Sequence, residues 1–279
     1  MGYKTILTVI TQAGQTAQLE AAVALARRED AHLEVFAVGV DHTQTGYYYA
    51  GASAYVFQEA IDRAMAAAEA LETGVRAELA PEDIRWSVES AVAQMGGVST
   101  LIAMRARFAD LVVLAKPYGP KAAPDAEAVL EASLFEGGAP VLVLPHENVA
   151  VETLGKRVLV AWNQSDEALH AIRRALPVLK AAEAVEIAVV DPSPYSPEGS
   201  DPGGKLCQML TRHGVKAEIA VLAKTLPTVT EVLNRRAAET GADMLVMGAY
   251  SKSRLREAIM GGATRHMLER ATLPVLMAR

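Results

Sequence analysis

Residues 243–279 read DMLVMGAYSKSRLREAIMGGATRHMLERATLPVLMAR, and this stretch is the most informative part of the chain. An apolar strand is followed by a glycine-interrupted basic loop and then by the start of a helix. A strand that ends at Gly248 and a helix that begins at Gly261 and Gly262 leave backbone N–H groups open to a ligand. The loop carries Lys252, Arg254, Arg256 and Arg265 against one acid, Glu257. The stretch therefore predicts a cradle for an anion such as phosphate.

The strand at the start of this stretch has a counterpart in the first half of the chain. Asp110–Ala115 matches Asp243–Gly248 at an offset of 133 residues (243 − 110), and Lys4–Ile10 matches Lys156–Trp162 at an offset of 152 (156 − 4). Two copies of one domain follow from this repeat. The offset falls by 19 (152 − 133), so the first copy has an insertion within about residues 41–61, which contains Tyr47, Tyr48, Tyr49 and Tyr55.

Within each copy, short apolar runs alternate with segments of helical period. In the second copy, Ser165 is expected to cap a helix that Pro177 kinks or ends, and Thr228–Thr240 is expected to be a helix stopped by Gly241. Four strand–helix alternations and a last strand predict an α/β fold with two tandem, doubly wound, parallel five-stranded sheet domains. We place the domains at 1–146 and 155–279.

Composition limits the classes of partner. Half the residues (51%) are apolar, the formal charge is -6 and the pI is near 5.6, which argues against general binding to nucleic acid or to an anionic membrane. Cys207 is the only cysteine, so neither an intramolecular disulfide nor a cysteine-based zinc cage can form. The N-terminus has the pattern of a first strand and no apolar run reaches membrane-spanning length, so we expect a cytoplasmic protein.

Because of the repeat and the loop near its C-terminus, the chain resembles a tandem universal stress protein over nearly its whole length. Members of that family that bind ATP have a glycine, two residues, a glycine, nine residues, a glycine and then Ser or Thr before the last helix. Gly248 and Gly261 match the first and third glycines, whereas Ser251 replaces the second and Gly262 replaces the hydroxyl residue. The resemblance implies the shared fold of these proteins and of adenine nucleotide hydrolases, and it implies ATP or AMP as a ligand of the second copy.

The resemblance also implies which residues would contact the nucleotide. Asn163 stands where relatives often have Asp beside the ribose, and Trp162 is larger than the usual residue and would narrow the adenine slot. Thr264 is expected to supply the missing hydroxyl from the first helical turn. The full candidate set is Ala161, Trp162, Asn163, Val189, Met247, Gly248, Ser251, Gly261, Gly262, Ala263 and Thr264.

The first copy lacks this signature. Ala115-Lys-Pro-Tyr-Gly-Pro stands in place of the glycine loop, and Pro117 and Pro120 remove two backbone N–H donors. Thr11 occupies the position of Asn163. We expect no nucleotide in the first copy.

The last strand of each copy, near Pro140 and Pro274, would leave an apolar sheet edge that needs cover. In the resembled family the final strands pair across a dimer. We therefore expect the two copies to form an internal pseudo-dimer, and pairing with a second chain to form a homodimer is a further possibility.

Three functions remain open from the sequence. The leading one is a stress-response protein that uses an adenine nucleotide as a structural or regulatory ligand. The second is a nucleotide-independent interaction protein that docks a partner through its pseudo-dimer surface and the tyrosine insertion, although packing of those tyrosines on their own sheet is favoured. The third, an enzyme of the hydrolase kind, would need Glu257 to bind metal. No histidine spacing indicates a metal ligand set, and no Gly-x-Ser-x-Gly elbow is present.

Overall fold

The computed structural model describes residues 2–42, 54–145, 149–193, 195, 198–249 and 262–279. It divides into two compact units, Tyr3–Ala139 and Pro140–Arg279, and Gly2 groups with the second. Each unit has a wholly or mostly parallel sheet and several helices, so the predicted α/β class is confirmed. The tyrosine insertion at Tyr47–Tyr49 and most of the loop after Gly248 lie outside the described residues.

The first unit has four strands in the order β3-β2-β1-β4, and all its recorded pairings are parallel. Ile6 at its centre lies opposite Leu33 on one side and Leu111 on the other. The strands are β1 (Thr5–Ile10), β2 (His32–Asp41), β3 (Arg85–Gln94) and β4 (Leu111–Ala115). The helices are α1 (Thr16–Glu29), α2 (Ala54–Leu79), α3 (Val98–Ala106) and α4 (Ala126–Glu131), the last continued by a π-helical turn over Ala132–Glu136.

Small side chains allow α2 to pack closely on the sheet. Ala60, Ala64 and Ala68 recur every fourth residue and are all buried. Opposite them, a Cβ on Gly39 of β2 would lie 2.1 Å from the carbonyl oxygen of Ala64. A glycine is therefore required at position 39, because a backbone atom that close cannot move aside.

The second unit has six strands in the order β5-β10-β9-β6-β7-β8. The strands are β5 (Val141–Leu144), β6 (Arg157–Ala161), β7 (Ala184–Val190), β8 (Ala217–Leu222), β9 (Met244–Gly248) and β10 (Val275–Ala278). The helices are α5 (Asp166–Arg174), α6 (Leu176–Ala181), α7 (Gly204–Arg212), α8 (Val229–Thr240) and α9 (Ala263–Arg270).

One strand in this unit runs against the others. β5 pairs antiparallel with β10, so that Val143 lies opposite Val275 and Val141 lies opposite Met277. This confirms the expectation that the last strands of the two copies pair with each other. By its contacts, β5 groups with the second unit although it is the last strand of the first copy in sequence.

The helix ends in the second unit follow their sequence signals. Ser165 caps α5 by accepting a hydrogen bond from Ala168 N at 3.1 Å, and Gly241 ends α8 in a left-handed conformation. Pro177 marks a break, as predicted, but the chain resumes as α6 with the proline in its first turn. Proline fits there because the first N–H groups of a helix have no partner within the helix.

No helix among the described residues is long and apolar enough to span a membrane.

Candidate functional site

The carboxyl ends of β6 and β9 form the edge where a ligand is expected. The two strands are direct neighbours, with Val160 opposite Val246. From β6 the chain continues to β7 on one side, and β9 lies on the other, so the strand order reverses at β6. In open α/β sheets, ligands bind outside the carboxyl ends of the strands at such a reversal. The structure brings six of the predicted residues to this end of the sheet: Ala161, Trp162, Asn163, Val189, Met247 and Gly248.

Trp162 is fixed by an acid that sequence reasoning missed. Its side chain is 8% exposed, and its indole Nε1 donates to Glu198 Oε1 at 3.2 Å and Oε2 at 3.1 Å. The same carboxylate accepts a hydrogen bond from Gly203 N at 2.7 Å. Glu198 thus ties the loop after β7 to the end of β6. Glu198 lies in the irregular Pro- and Ser-rich loop, and no spacing in the sequence linked it to a tryptophan 36 residues earlier.

Asn163 is exposed, and its side-chain oxygen is already used. Asn163 Oδ1 accepts hydrogen bonds from Ser165 N at 3.2 Å and from Ser165 Oγ at 2.7 Å. Its amide nitrogen Nδ2 makes no recorded bond with a described residue. The side chain therefore orients the start of α5 through its oxygen and presents an amide donor, which suits a ribose hydroxyl oxygen.

Gly248 has a packing role that is independent of any ligand. A Cβ at this position would lie 2.5 Å from the backbone nitrogen of Ala168 and 2.7 Å from the backbone carbon of Glu167. The first turn of α5 therefore occupies the space that the glycine was predicted to leave for an approaching ligand. The glycine is explained by close contact between β9 and α5, so it is weaker evidence for a nucleotide than its spacing indicated.

The two helices that begin near this edge differ in charge. The first turn of α5 carries Asp166 and Glu167, whereas the first turn of α9 carries no acid. Gly262 is the N-cap of α9 in an extended conformation and makes no side-chain cap, and Thr264, in the first turn, is 4% exposed. An anion is stabilised by the N-terminal dipole of a helix and destabilised by nearby carboxylates. Of these two helices, α9 is therefore the one suited to phosphate.

Two glycine-loop residues, Ser251 and Gly261, lie outside the described residues, as do Lys252, Arg254, Arg256 and Glu257. Arg265 lies in the first turn of α9 and forms an ion pair with Glu269 at 2.9 Å. Its charge is thus partly compensated within the helix.

In the first unit, the corresponding end of the sheet is filled by a side chain. Gln18 of α1 is 3% exposed, and its Nε2 donates to Thr8 Oγ1 at 2.8 Å and to the Val9 carbonyl oxygen at 2.9 Å. Its Oε1 accepts a hydrogen bond from Ala115 N, at the end of β4, at 2.8 Å. An amide thus bridges β1 and β4. A glutamine among the apolar residues of α1 was the sequence signal for this bridge, and it did not enter the prediction.

A cleft of about 110 Å³ lies elsewhere in the first unit, between the loop after β1 and helix α2. Its lining is mostly apolar, with Glu78 as the charged member. Because its charged side chain is a carboxylate, the cleft disfavours an anion such as phosphate.

One further pair of titratable groups lies in the first unit. His42 Nε2 is 3.5 Å from Asp125 Oδ2, and burial raises the pKa of Asp125 while the nearby histidine opposes that shift. Among the residues that the structure describes, no cluster of three or more His, Cys, Asp or Glu residues is arranged to hold a metal ion.

The fold is that of an α/β protein with a candidate ligand site at a strand-order reversal, and known proteins with similar sequences and structures can be compared with it. The universal stress protein family model matches residues 155–279. A universal stress protein of Methanocaldococcus jannaschii is 27% identical over 146 residues, covering 46% of this chain and 84% of that protein. The second half of the chain therefore matches the universal stress protein family.

Solved structures extend the shared fold over both halves. A universal stress protein from Archaeoglobus fulgidus aligns with a TM-score of 0.73 at 16% identity, covering 99% of this chain and 96% of that one. A putative universal stress protein from Pseudomonas aeruginosa aligns with a TM-score of 0.59 at 20% identity, covering 99% of this chain and 93% of that one. At these identities the likeness concerns the fold alone, and it confirms the predicted architecture.

Proposed function

We propose that this chain is a stress-response protein that binds an adenine nucleotide, ATP or AMP, in its second unit as a structural or regulatory ligand. The observation that carries the proposal is the acid-free start of α9. In a strand–helix–strand unit the helix runs back along the sheet, so its N-terminus lies at the carboxyl edge of the strands. The four basic residues of the preceding loop and of α9 itself add positive charge to that region.

Each part of the nucleotide has a suitable partner in this arrangement. Val189 and Met247 are buried apolar residues near the strand ends and would lie beside the base. Asn163 Nδ2 would donate to the ribose, and the N–H groups of Ala263 and Thr264 would donate to phosphate. Trp162, held by Glu198, would form a wall of the adenine slot and would favour a planar base over a bulkier group.

The proposal concerns binding and not turnover. Glu257, which the hydrolase hypothesis requires, lies outside the described residues, and the acids at the start of α5 would repel a phosphate. Hydrolysis that needs Mg²⁺ and disappears in Glu257→Gln would be the evidence for an enzyme.

Calorimetric titration with ATP, ADP and AMP tests the proposal. The full wild-type chain and the variant Gly262→Glu are titrated in the same way. Because the N-cap of α9 is extended, glutamate is compatible with its backbone, but the new carboxylate would face the phosphates. We expect an affinity loss of about tenfold or more, which corresponds to about 1.4 kcal/mol, since the new negative charge repels the phosphates.

The matched control is Gly96→Glu, which makes the same charge change at an exposed site in the first unit where nothing lies within 4 Å of a new Cβ. Its affinity should equal that of the wild type. Absence of binding by the wild type at millimolar nucleotide, or equal loss in both variants, would contradict the proposal.

A nucleotide-independent interaction protein remains the second candidate, and two observations favour it. Gly248 is required by its contact with α5, and Trp162 is already bonded to Glu198, so both residues have structural explanations. A mass spectrum of the chain purified under native conditions distinguishes the two functions, because a co-purified nucleotide supports the first and its absence the second.

A further inference from the structure

Strand β8 ends the sheet of the second unit and is unusually open. Within the described residues it pairs with β7 alone. Ile219 is 37% exposed and Val221 is 56% exposed, and both rank among the exposed large apolar residues. An apolar edge strand without cover is a template for pairing with another strand.

The hydrogen bonds to β7 show which backbone groups of β8 point outward. Val185 N donates to the Lys216 carbonyl oxygen at 3.0 Å, and Asp191 N donates to the Leu222 carbonyl oxygen at 2.8 Å. Because the N–H and C=O of one strand residue point the same way and alternate along the strand, the even-numbered residues face β7. Odd-numbered residues therefore face outward.

Two of these outward carbonyl groups already have partners. The Ala217 carbonyl accepts from the Cys207 thiol at 3.4 Å, and the Ala223 carbonyl accepts from Thr225 N at 2.9 Å. Ile219 and Val221 make no recorded outward backbone bond with a described residue. The free edge is thus centred on these two residues.

The edge strand of the first unit is covered differently. In β3, the Val88 carbonyl accepts a hydrogen bond from the Arg76 guanidinium at 2.7 Å, and Glu72 of α2 bonds Ser90. Glu89 forms an ion pair with Arg105. Charged side chains from neighbouring helices thus protect β3, in the way that natural edge strands are usually protected. β8 has no comparable cover among the described residues.

We propose that β8 is the homodimer interface of this chain, pairing antiparallel with β8 of a second copy about a twofold axis at Val221. Val221 of each copy would then exchange both N–H···O bonds with its counterpart, because its backbone groups point outward. Ile219 would lie diagonal to Val221 of the second copy, so that the exposed apolar side chains cover each other.

Charge complementarity selects this register. Glu218 lies three residues before Val221, and Lys224 lies three residues after it, just beyond the end of β8. An antiparallel pair centred on Val221 therefore brings each Glu218 near Lys224 of the other copy. Both residues are exposed, and no ion pair is recorded for either with a described residue of the chain. Centring the pair on Ile219 instead would bring the two Glu218 residues to diagonal positions, where like charges repel.

Light scattering coupled to size exclusion, over a range of concentrations, tests the interface in the full chain. We expect the mass to rise from the 29.6 kDa of one chain toward twice that value. A single short strand gives a small interface, so the association should depend on concentration. Val221→Lys would place two ammonium groups opposite each other and should weaken association by about tenfold or more.

A charge exchange tests the register itself. Glu218→Lys and Lys224→Glu should each weaken the dimer, because each creates two like-charge contacts, whereas the double variant should restore it. Phe108→Ser is the matched control, since it removes a 77% exposed apolar side chain from the first unit and should leave association unchanged.

Hydrogen exchange supplies a second readout. The Ile219 and Val221 amides should become more protected as concentration rises. A chain that stays monomeric at all concentrations, or a dimer that Val221→Lys does not weaken, would overturn the proposal. Failure of the charge exchange alone would overturn the register. None of these outcomes depends on nucleotide binding.

Discussion

At the scale of a single residue, Gly248 lies where a side chain has no room. A methyl group there would meet the Ala168 and Glu167 backbone at 2.5–2.9 Å. We expect Gly248→Ala to lower the free energy of unfolding by about 1–3 kcal/mol even without ligand, because overpacked atoms force the backbone apart. Urea denaturation in nucleotide-free buffer measures this. Unchanged stability would show that α5 can shift at no cost.

Gly74 offers the matched comparison. It lies within helix α2, is exposed, and has nothing within 4 Å of the position that a methyl group would take. Gly74→Ala should therefore raise the free energy of unfolding by about 1 kcal/mol, since glycine is a poor helix former and no packing opposes the change. Opposite signs for Gly248→Ala and Gly74→Ala would show that both effects are local.

At the scale of the element, α8 begins with a complete capping box. Glu231 N donates to Thr228 Oγ1 at 3.2 Å, and Thr228 N donates to Glu231 Oε2 at 3.1 Å. Thr228→Ala should lower the free energy of unfolding by about 1 kcal/mol, because the first turn loses its cap. Thr16→Ala is the control, since Thr16 opens α1, where no side-chain cap bond forms. An equal loss in both variants would contradict the assignment.

The capping box of α8 also predicts that the stability of the protein depends on pH. Hydrogen bonds from the Thr228 side chain and backbone lower the pKa of Glu231 from its ordinary value of 4.5. A lowered carboxyl pKa in the folded state contributes stability above the unfolded pKa, and this contribution is lost as pH falls through the folded pKa. The stability difference between wild type and Thr228→Ala should therefore shrink below pH 4.5. A difference that stays constant from about pH 7 down to about pH 3 would argue against this role for Glu231.

Elements with local signals were predictable from the sequence, whereas long-range side-chain contacts were not. Ser165, Thr228 and Gly241 act within one helical turn, so their residue types reveal the helix ends. The Trp162–Glu198 bond joins residues 36 positions apart. Which residue bonds Trp162 depends on how the loop after β7 folds back, and the periodicity of the sequence does not predict that path.

At the scale of the whole molecule, the repeat predicted the sheets, and the family resemblance predicted the pairing of their last strands. It did not show that the two copies fill the carboxyl ends of their strands differently. Gln18 bridges β1 and β4 in the first unit, while Gly248 admits the start of α5 in the second. Both arrangements depend on how closely a helix approaches a strand end. That distance is set by packing, and the spacing of residues in the sequence does not predict it.

The grouping of β5 with the second unit leads to a prediction about fragments. The fragment 140–279 keeps β5, whereas 149–279 keeps the short helical turn Val151–Thr153 but loses the strand that pairs with β10. Without β5, the edge of β10 would be bare and Leu276 would lose its cross-strand partner Leu142.

We expect 149–279 to be less stable than 140–279 by about 2 kcal/mol or more, because a buried leucine contributes about that much and a strand contributes several such contacts. Urea midpoints of the two fragments measure the difference, and hydrogen exchange at Val275–Met277 locates it. Both fragments contain β8, so Val221→Lys is introduced into each to remove association through that edge. Equal midpoints together with equal protection of β10 would mean that β5 contributes nothing to the stability of the second unit. A lower midpoint of 149–279 without loss of β10 protection would mean that β5 stabilises another part of that unit.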